Sequence, residues 1–569
     1  MTTNRPAKTS PAPLCTLVVV VLALGGYASW LNHQFYLRQG PYFDSAAYTN
    51  YLARVMGATQ LDSLQDGLYV ALDATTSPLP GLEAMLLVLL HVPVFSTRQL
   101  GVWLQVIWLL ALAVSLYLYW LQDRHRGPWA SVLLSLPFLC FAGIFNFNGG
   151  LSDFRLDLSL YILLACASVW FLRTYSGDSK LNWLLAGSFV TLASLSRATA
   201  PVYWVVMVGP LLVVRLATGT WEEKKRRAQG VGWMILPSVI VALPYFLTHF
   251  SYLFYYYAQW NQDANAGLSW GASLAHARFA FQQVGWAMAA AGLFFFAAVL
   301  WDSRGETLRI SAVDWKLLYL GSAPVLFLVL RGAGLNPFVC MPAVFGWLLF
   351  LLAPLRANGP VLRSARSYGA GILLVGACVW NAANAPGQVG YPETRMSTLR
   401  QGIDWMREDA ARKKLTQVDF VAFHNWNYHP SFIRNVLINE YGFRASRSFL
   451  VSPEGIRWQP SYVWKHQQGT YEGLVTASVA LVWQEEVEGA TDEEKIDWMV
   501  KTAGKDIDYV FLPDDETIDF MEKYIAANFI NTKVRAIKKR LLETGEWEKI
   551  GPPLAITDFE RVQLYTKRR

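Results

Sequence analysis

Charge is what this chain has least of. Only 16% of its 569 residues are Asp, Glu, Lys or Arg, against roughly 25% in soluble domains. That excludes an ordinary water-soluble fold; with 53% hydrophobic residues and a positive mean hydropathy, the composition is that of a polytopic membrane protein. Cysteine is scarce as well. Cys15, Cys140, Cys166, Cys340 and Cys378 lie within or beside apolar runs and form no CxxC, so neither a disulfide framework nor a zinc site is implied. Repeats and low-complexity tracts are missing too. Aromatic residues, by contrast, reach 14%, as expected where many helix ends carry interfacial belts. The net charge of +7 does not call for nucleic acid. Much of it lies in short segments between apolar runs, such as Lys224 to Arg227, where basic clusters act as cytoplasmic orientation signals.

A membrane span needs about 20 mostly apolar residues. Twelve runs approach that length: 14–31, 79–95, 99–121, 129–146, 156–174, 182–197, 199–217, 231–248, 283–301, 316–331, 336–354 and 368–385. The first follows Arg5 and Lys8 and ends without a convincing small-residue cleavage site, so it is expected to be an uncleaved span. If all twelve crossed, the basic stretches 122–127 and 221–230 would lie outside, against the positive-inside rule. The run 79–95 is the weakest candidate, because it carries Pro80, Glu83, His91 and Pro93. Reading it as an amphipathic helix on the outer leaflet places the later basic loops inside. The expectation is then eleven crossings in the cell (inner) membrane with a cytoplasmic N-terminus. Outside would lie residues 32–98, 146–155, 196–201, 249–282, 331–337 and everything from Pro386.

From Pro386 the chain turns polar and its apolar runs shorten to strand length. "QVDFVAFHNW" and "DIDYVFLP" read as buried strands and "TIDFMEKYIAANF" as a helix. The expected organisation is a transmembrane domain, 1–385, followed by an extracytoplasmic α/β domain, 386–569.

Few ionisable residues fall on the expected outer face. Asp44 precedes the aromatic-apolar pattern Tyr48, Tyr51 and Leu52. It reads either as the N-cap of a helix starting at Ser45 or as a general base with a raised pKa in an aromatic recess. Asp153 and Asp157, four apart, are expected on one helix face, with Arg155 directed elsewhere. They are either a solvated helix start favoured by the dipole or functional carboxylates at the membrane boundary. Arg197 and Arg331 each close a span on the outer side. Singly they would snorkel to headgroups; together they suggest an anion held there, since Arg offers a fixed fork of donors to phosphate. The loop 248–270, with His249, Tyr256 and Asp263, is either an aromatic belt or a sugar-binding lid. His424 and His429, after the first tail strand, read as surface or packing residues, with an acceptor contact open. No metal-ligand set is legible and no cofactor is fixed; a divalent cation is left open.

The membrane part, about 70% of the chain, resembles the C-type integral-membrane glycosyltransferases that use polyprenyl-phosphate sugars, including the protein mannosyltransferases and lipid A aminoarabinose transferases. The resemblance rests on Asp44 in the first outer loop, "SPLPGLEAMLLVLLHVPVF", Asp153 in the second loop, the Arg in "LASLSRATAP" and "RGAGLNPFVCMPAVFGWLLFLLAPL". This sequence has Asp-Ser where many members have Asp-Glu, and a Gly-Gly turn in the second loop. The resemblance implies a polytopic fold with juxtamembrane helices and inverting transfer of a sugar to a glycan, lipid or protein acceptor. Asp44 would be the general base. Asp153 would orient the acceptor or support Asp44, and Arg197 and Arg331 would bind the leaving phosphate. Asp157, Tyr48, His249, Tyr256 and Asp263 would be substrate contacts. The rivals are a secondary transporter, which the boundary placement of charge and the lack of an inverted repeat disfavour, and an O-antigen-ligase-type enzyme acting on lipid diphosphates.

Overall fold

The computed structural model describes residues 11–568 apart from 40–42, 73–76, 95, 123–126, 147–148, 251–252, 254–268, 303–311, 332–336, 353–364, 388–395, 423–429, 448, 461–490, 525–528 and 559. Two compact units emerge. One comprises Met1–Leu31, Thr75–Leu79 and Val102–Gln388; the other comprises Asn32–Ala74, Pro80–Gly101 and Val389–Arg569.

The first unit is helical. Five described helices are long and apolar enough to cross a membrane: Ala12–Leu37, Thr97–Leu121, Leu156–Arg173, Ala200–Ala217 and Trp221–Thr248. A sixth span results if Trp270–Val284 and Trp286–Ala298, which meet at 81°, count as one. Gly285, with φ +87°, makes that corner, a conformation glycine adopts without a Cβ clash. The Leu156–Arg173 helix is the centre of the unit, since every residue from Leu156 to Leu172 is buried. A helix apolar all round belongs inside a bundle, where its neighbours cover every face.

One expected loop is helix instead. The basic stretch 221–230 opens the Trp221–Pro237 helix, because Thr220 and Glu223 form a reciprocal capping box that satisfies two of its first N–H groups. The weak run at 79–95 yields only the helix Pro78–Leu89. At 1.5 Å per residue it reaches about 18 Å, short of the roughly 30 Å hydrocarbon core. It stops at His91, which takes a left-handed φ of 53°.

The second unit is built on a seven-stranded sheet: β1 (Gln417–Ala422), β2 (Arg444–Ala445), β3 (Leu450–Val451), β4 (Arg457–Pro460), β5 (Tyr509–Pro513), β6 (Trp547–Ala555) and β7 (Arg561–Lys567), in the order β2-β3-β4-β1-β5-β7-β6. β1 runs parallel to both β4 and β5, and the remaining pairs are antiparallel. Both faces are covered, as the near-continuous apolar sequence of β1 and β5 requires. Phe420 and Phe511 face one core with the helices Met396–Arg412 and Pro430–Glu440; Val421 and Val510 face another with Asp492–Asp506 and Phe529–Glu543. The expected strands and the helix now bounded as Asp515–Tyr524 are all present.

The early chain joins this unit. Tyr36 and Ala53 enter the first of those cores, and the buried Asn435 amide donates to Thr49 Oγ1 at 2.6 Å. Tyr36 donates to Glu440, which Arg400 grips bidentately at 2.6 and 3.1 Å, while Arg98 stacks over the Tyr36 ring at 3.3 Å. Burial works to raise the Glu440 pKa, but the hydrogen bonds from Arg400 and Tyr36 and the Arg98 charge outweigh it and hold the carboxyl below its ordinary 4.5. A group depressed on folding stabilises the native state above its unfolded pKa, and loses that contribution as pH falls through the folded value. Thermal unfolding should therefore separate wild type from Glu440→Gln at neutral pH, and the gap should close progressively below about pH 4.5. A gap that stays constant with pH contradicts the ionic account.

Candidate functional site

A polar cluster sits at the N-terminus of the central Leu156–Arg173 helix. The preceding turn is made by glycine: Gly149 has φ +86°, and a Cβ on Gly150 would lie 2.3 Å from the Asn146 carbonyl oxygen. The turn closes through Gly150 N–H to Asn146 O (3.1 Å) and Leu151 N–H to Ile144 O (2.7 Å). It presents the Gly149 N–H to Asp153 Oδ2 at 2.7 Å. Gly150→Ala must displace that backbone, and a cost of about 1–3 kcal/mol is expected, as for overpacking. It should show as a lowered melting temperature, and an unchanged one would mean that the turn relaxes freely.

Two expectations about these acids are corrected. Asp153 lies in the turn and the helix begins at Leu156, so Asp153 and Asp157 do not share a helix face. Nor is Arg155 directed away: its Nε is 3.7 Å from Asp157 Oδ2. Neither acid is solvated, with Asp153 only 6% and Asp157 2% exposed. A carboxylate buried this deeply is tolerated when paired, and here two guanidiniums do so. The second is Arg197, whose Nη2 is 3.3 Å from Asp157 Oδ1.

Arg197 occupies the junction of two helices, Lys180–Ser196 and Ala200–Ala217. It is the C-cap of the first, in extended conformation, and its N–H bonds Ala193 O at 2.8 Å. Pro201 sits in the first turn of the second helix, where its missing N–H costs nothing. "SRATAP" is thus a corner that turns Arg197 toward the central helix. Its side chain is 24% exposed where that of Asp157 is 3%: the guanidinium is anchored on a buried carboxylate. The neighbouring Ser196 hydroxyl is buried and has no hydrogen-bond partner among the described residues.

Arg331 ends the Ala312–Arg331 helix, far from Arg197 in sequence. The buried Tyr203 hydroxyl, which donates to Val339 O at 2.9 Å, lies within electrostatic range of Asp157, Arg197 and Arg331 together. Two arginines, Arg155 and Arg197, and two aspartates, Asp153 and Asp157, meet at one helix N-terminus, whose dipole adds positive potential. Such a site suits an anion. Asp153 is engaged by an N–H and Asp157 by arginines, and no cluster of three or more His, Cys, Asp or Glu able to hold an ion occurs among the described residues.

Asp44 falls in the first turn of the helix Phe43–Gly57, which starts two residues earlier than expected; its side chain lies outside the described residues, as do Tyr256, Asp263, His424 and His429. Tyr48 is half-buried on that helix. His249 caps the helix Leu243–Thr248: its Nδ1 lies 3.0 Å from Tyr245 O and its ring stacks on Tyr245 at 4.4 Å. Sequence reasoning missed Arg155 and Tyr203. Arg155 carried the signal of a charge two residues from Asp157; Tyr203 carried none, being one of 26 tyrosines.

No protein-family model and no curated protein matches the chain. Solved structures do. The oligosaccharyltransferase of Archaeoglobus fulgidus in its apo form superposes with a TM-score of 0.50 at 13% identity, over 92% of this chain and 72% of the other. The mycobacterial arabinofuranosyltransferase AftD is similar at a TM-score of 0.48 and 14% identity, over 98% of this chain. The chain spans only 40% of the length of AftD. The Archaeoglobus oligosaccharyltransferase in complex with an inhibitory peptide and a dolichol-phosphate gives 0.47 at 12% identity, over 91% of this chain and 72% of the other. The fold is therefore similar to that of the Archaeoglobus oligosaccharyltransferase, with a sheet-containing C-terminal part.

Proposed function

We propose that this chain is a glycosyltransferase that takes a sugar from a polyprenyl-phosphate donor and passes it, with inversion, to a glycan, lipid or protein acceptor at the extracytoplasmic face. The observation that carries the reading is Arg197, held on buried Asp157 at 3.3 Å beside the N-terminus of the Leu156–Arg173 helix, on a fold shared with an oligosaccharyltransferase.

In this reading the transferase part, residues 1–385, crosses the membrane eleven times, and residues 386–569 form an extracytoplasmic α/β domain. Arg197 and Arg331 take the leaving polyprenyl phosphate, as preorganised charges do for a developing anion. Asp157 and Arg155 hold Arg197 in place. Asp44 removes the proton from the acceptor nucleophile, which attacks the anomeric carbon as the carbon–oxygen bond to phosphate breaks. Asp153 supports the acceptor, and Tyr48, His249, Tyr256 and Asp263 are sugar contacts. The roles of Asp44 and of those contacts rest on the sequence resemblance.

Lipid binding tests the donor class. Purified protein should bind polyprenyl monophosphate in preference to the diphosphate and to the free alcohol, and Arg197→Gln should weaken the monophosphate. Preference for the diphosphate would favour a ligase on lipid diphosphates, and indifference to the head group would leave the transporter reading.

A further inference from the structure

Within the second unit, a cavity of about 630 Å³ opens beside the β2-β3-β4 edge of the sheet. Its wall is set by strand register. Arg444 on β2 pairs with Val451 on β3, and Val451 pairs with Arg457 on β4. Directly paired residues project on the same face, and strands lie about 4.8 Å apart, so the two arginines flank Val451 on one face with backbones roughly 10 Å apart. Neither guanidinium is paired with a carboxylate among the described residues. Arg457 lies 5.0 Å from the centre of the Phe449 ring, a contact that orients its fork.

The opposite wall comes from the π-helical turn Ala58–Asp62, which supplies Leu61 and Asp62. It is pressed onto β2: a Cβ on Gly57 would lie 1.5 Å from the Ala445 carbonyl oxygen, so only glycine permits the approach. Asp62 Oδ2 accepts the Arg447 N–H at 3.0 Å. The rim is made by two tight turns, closed by Ser446 on Phe449 and by Ser452 on Ile456.

We propose that this cavity is an acceptor subsite that binds a sugar unit bearing an anionic group, a carboxylate or a phosphate. The purpose of the subsite rests on the transferase reading, while the binding does not. Arg444 and Arg457, both exposed on one sheet face, give the cavity wall a positive potential that attracts an anion, and arginine forks match carboxylate and phosphate oxygens. The volume is that of a small-molecule site, well beyond a lone ion. Phe449 offers an apolar ring face, and Asp62 can accept sugar hydroxyls while rejecting a densely anionic ligand.

Direct binding by the full chain in phosphatidylcholine nanodiscs, with no donor present, tests it. Trigalacturonate or galactose 6-phosphate should bind, with affinity falling as salt rises, while neutral cellotriose binds at least about tenfold more weakly. Whichever charged sugar binds better identifies the anionic group, and either supports the proposal. Arg444→Gln and Arg457→Gln should each lower that affinity by roughly tenfold, with unchanged melting temperature, and Lys at both positions should restore part of it. Equal binding of cellotriose, charged-sugar binding unaffected by both Gln variants, or equal affinity for glycerol 3-phosphate, which would mark a lipid-headgroup contact, would each overturn it. Because no donor is present, loss of transfer activity leaves this result standing, and failure of sugar binding leaves donor turnover untouched.

Discussion

Arg197→Gln should cut sugar transfer by about 10²- to 10³-fold, the loss seen when one preorganised donor to a developing anion is removed. Arg331→Gln should fall in the same range. The effect belongs in kcat, because charge on the bridging oxygen grows as the bond to the sugar breaks, and interactions stronger in the transition state act there. Arg197 also neutralises buried Asp157, so its removal carries a second, structural consequence: among the described residues Asp157 would keep only Arg155, at 3.7 Å, as an ion-pair partner. The double variant Arg197→Gln/Asp157→Asn separates the two. It removes the unpaired carboxylate along with its partner, and should recover melting temperature without recovering transfer. Recovery of transfer would reduce Arg197 to a structural counter-ion.

Asp44→Asn should cost about 10²- to 10⁴-fold in rate, the usual share of a general base. Asn keeps nearly all the capping ability of Asp. The lost charge in the first turn of Phe43–Gly57 is worth only about 0.3–1 kcal/mol to the helix, so folding should survive. Donor binding should survive too, since the phosphate contacts are assigned to Arg197 and Arg331. Transfer by the Asn variant at near wild-type rate would leave Asp44 a helix-start residue. Asp153, already held by the Gly149 N–H, would then become the candidate base.

The helices were legible where apolar length alone decides them: 99–121 and 156–174 reappear within two residues as Thr97–Leu121 and Leu156–Arg173. Charge misled at 221–230. A basic stretch reads as a loop, yet the Thr220-x-x-Glu223 capping box was visible in the sequence and starts a helix there. The polar cluster was legible as residue types, Asp153, Asp157 and Arg197, but not as geometry. Helical spacing put the two acids on one face; Gly149 and Gly150 instead close a turn that keeps Asp153 out of the helix. The pairing of Arg197 with Asp157 depends on how the helices pack, which no local pattern encodes. The same holds for the Arg444–Val451–Arg457 row, which exists only once three strands of two to four residues are in register.

Transfer itself is the most direct test of the central claim. Purified protein given radiolabelled polyprenyl-phosphate sugars, a panel of candidate acceptors and membrane glycans from the source cell should move label into an acceptor and release polyprenyl monophosphate in equal amount. The anomeric configuration of the product should be opposite to that of the donor, and both signals should collapse together in Arg197→Gln. Label entering product from a polyprenyl diphosphate while the monophosphate donor stays intact would contradict the account.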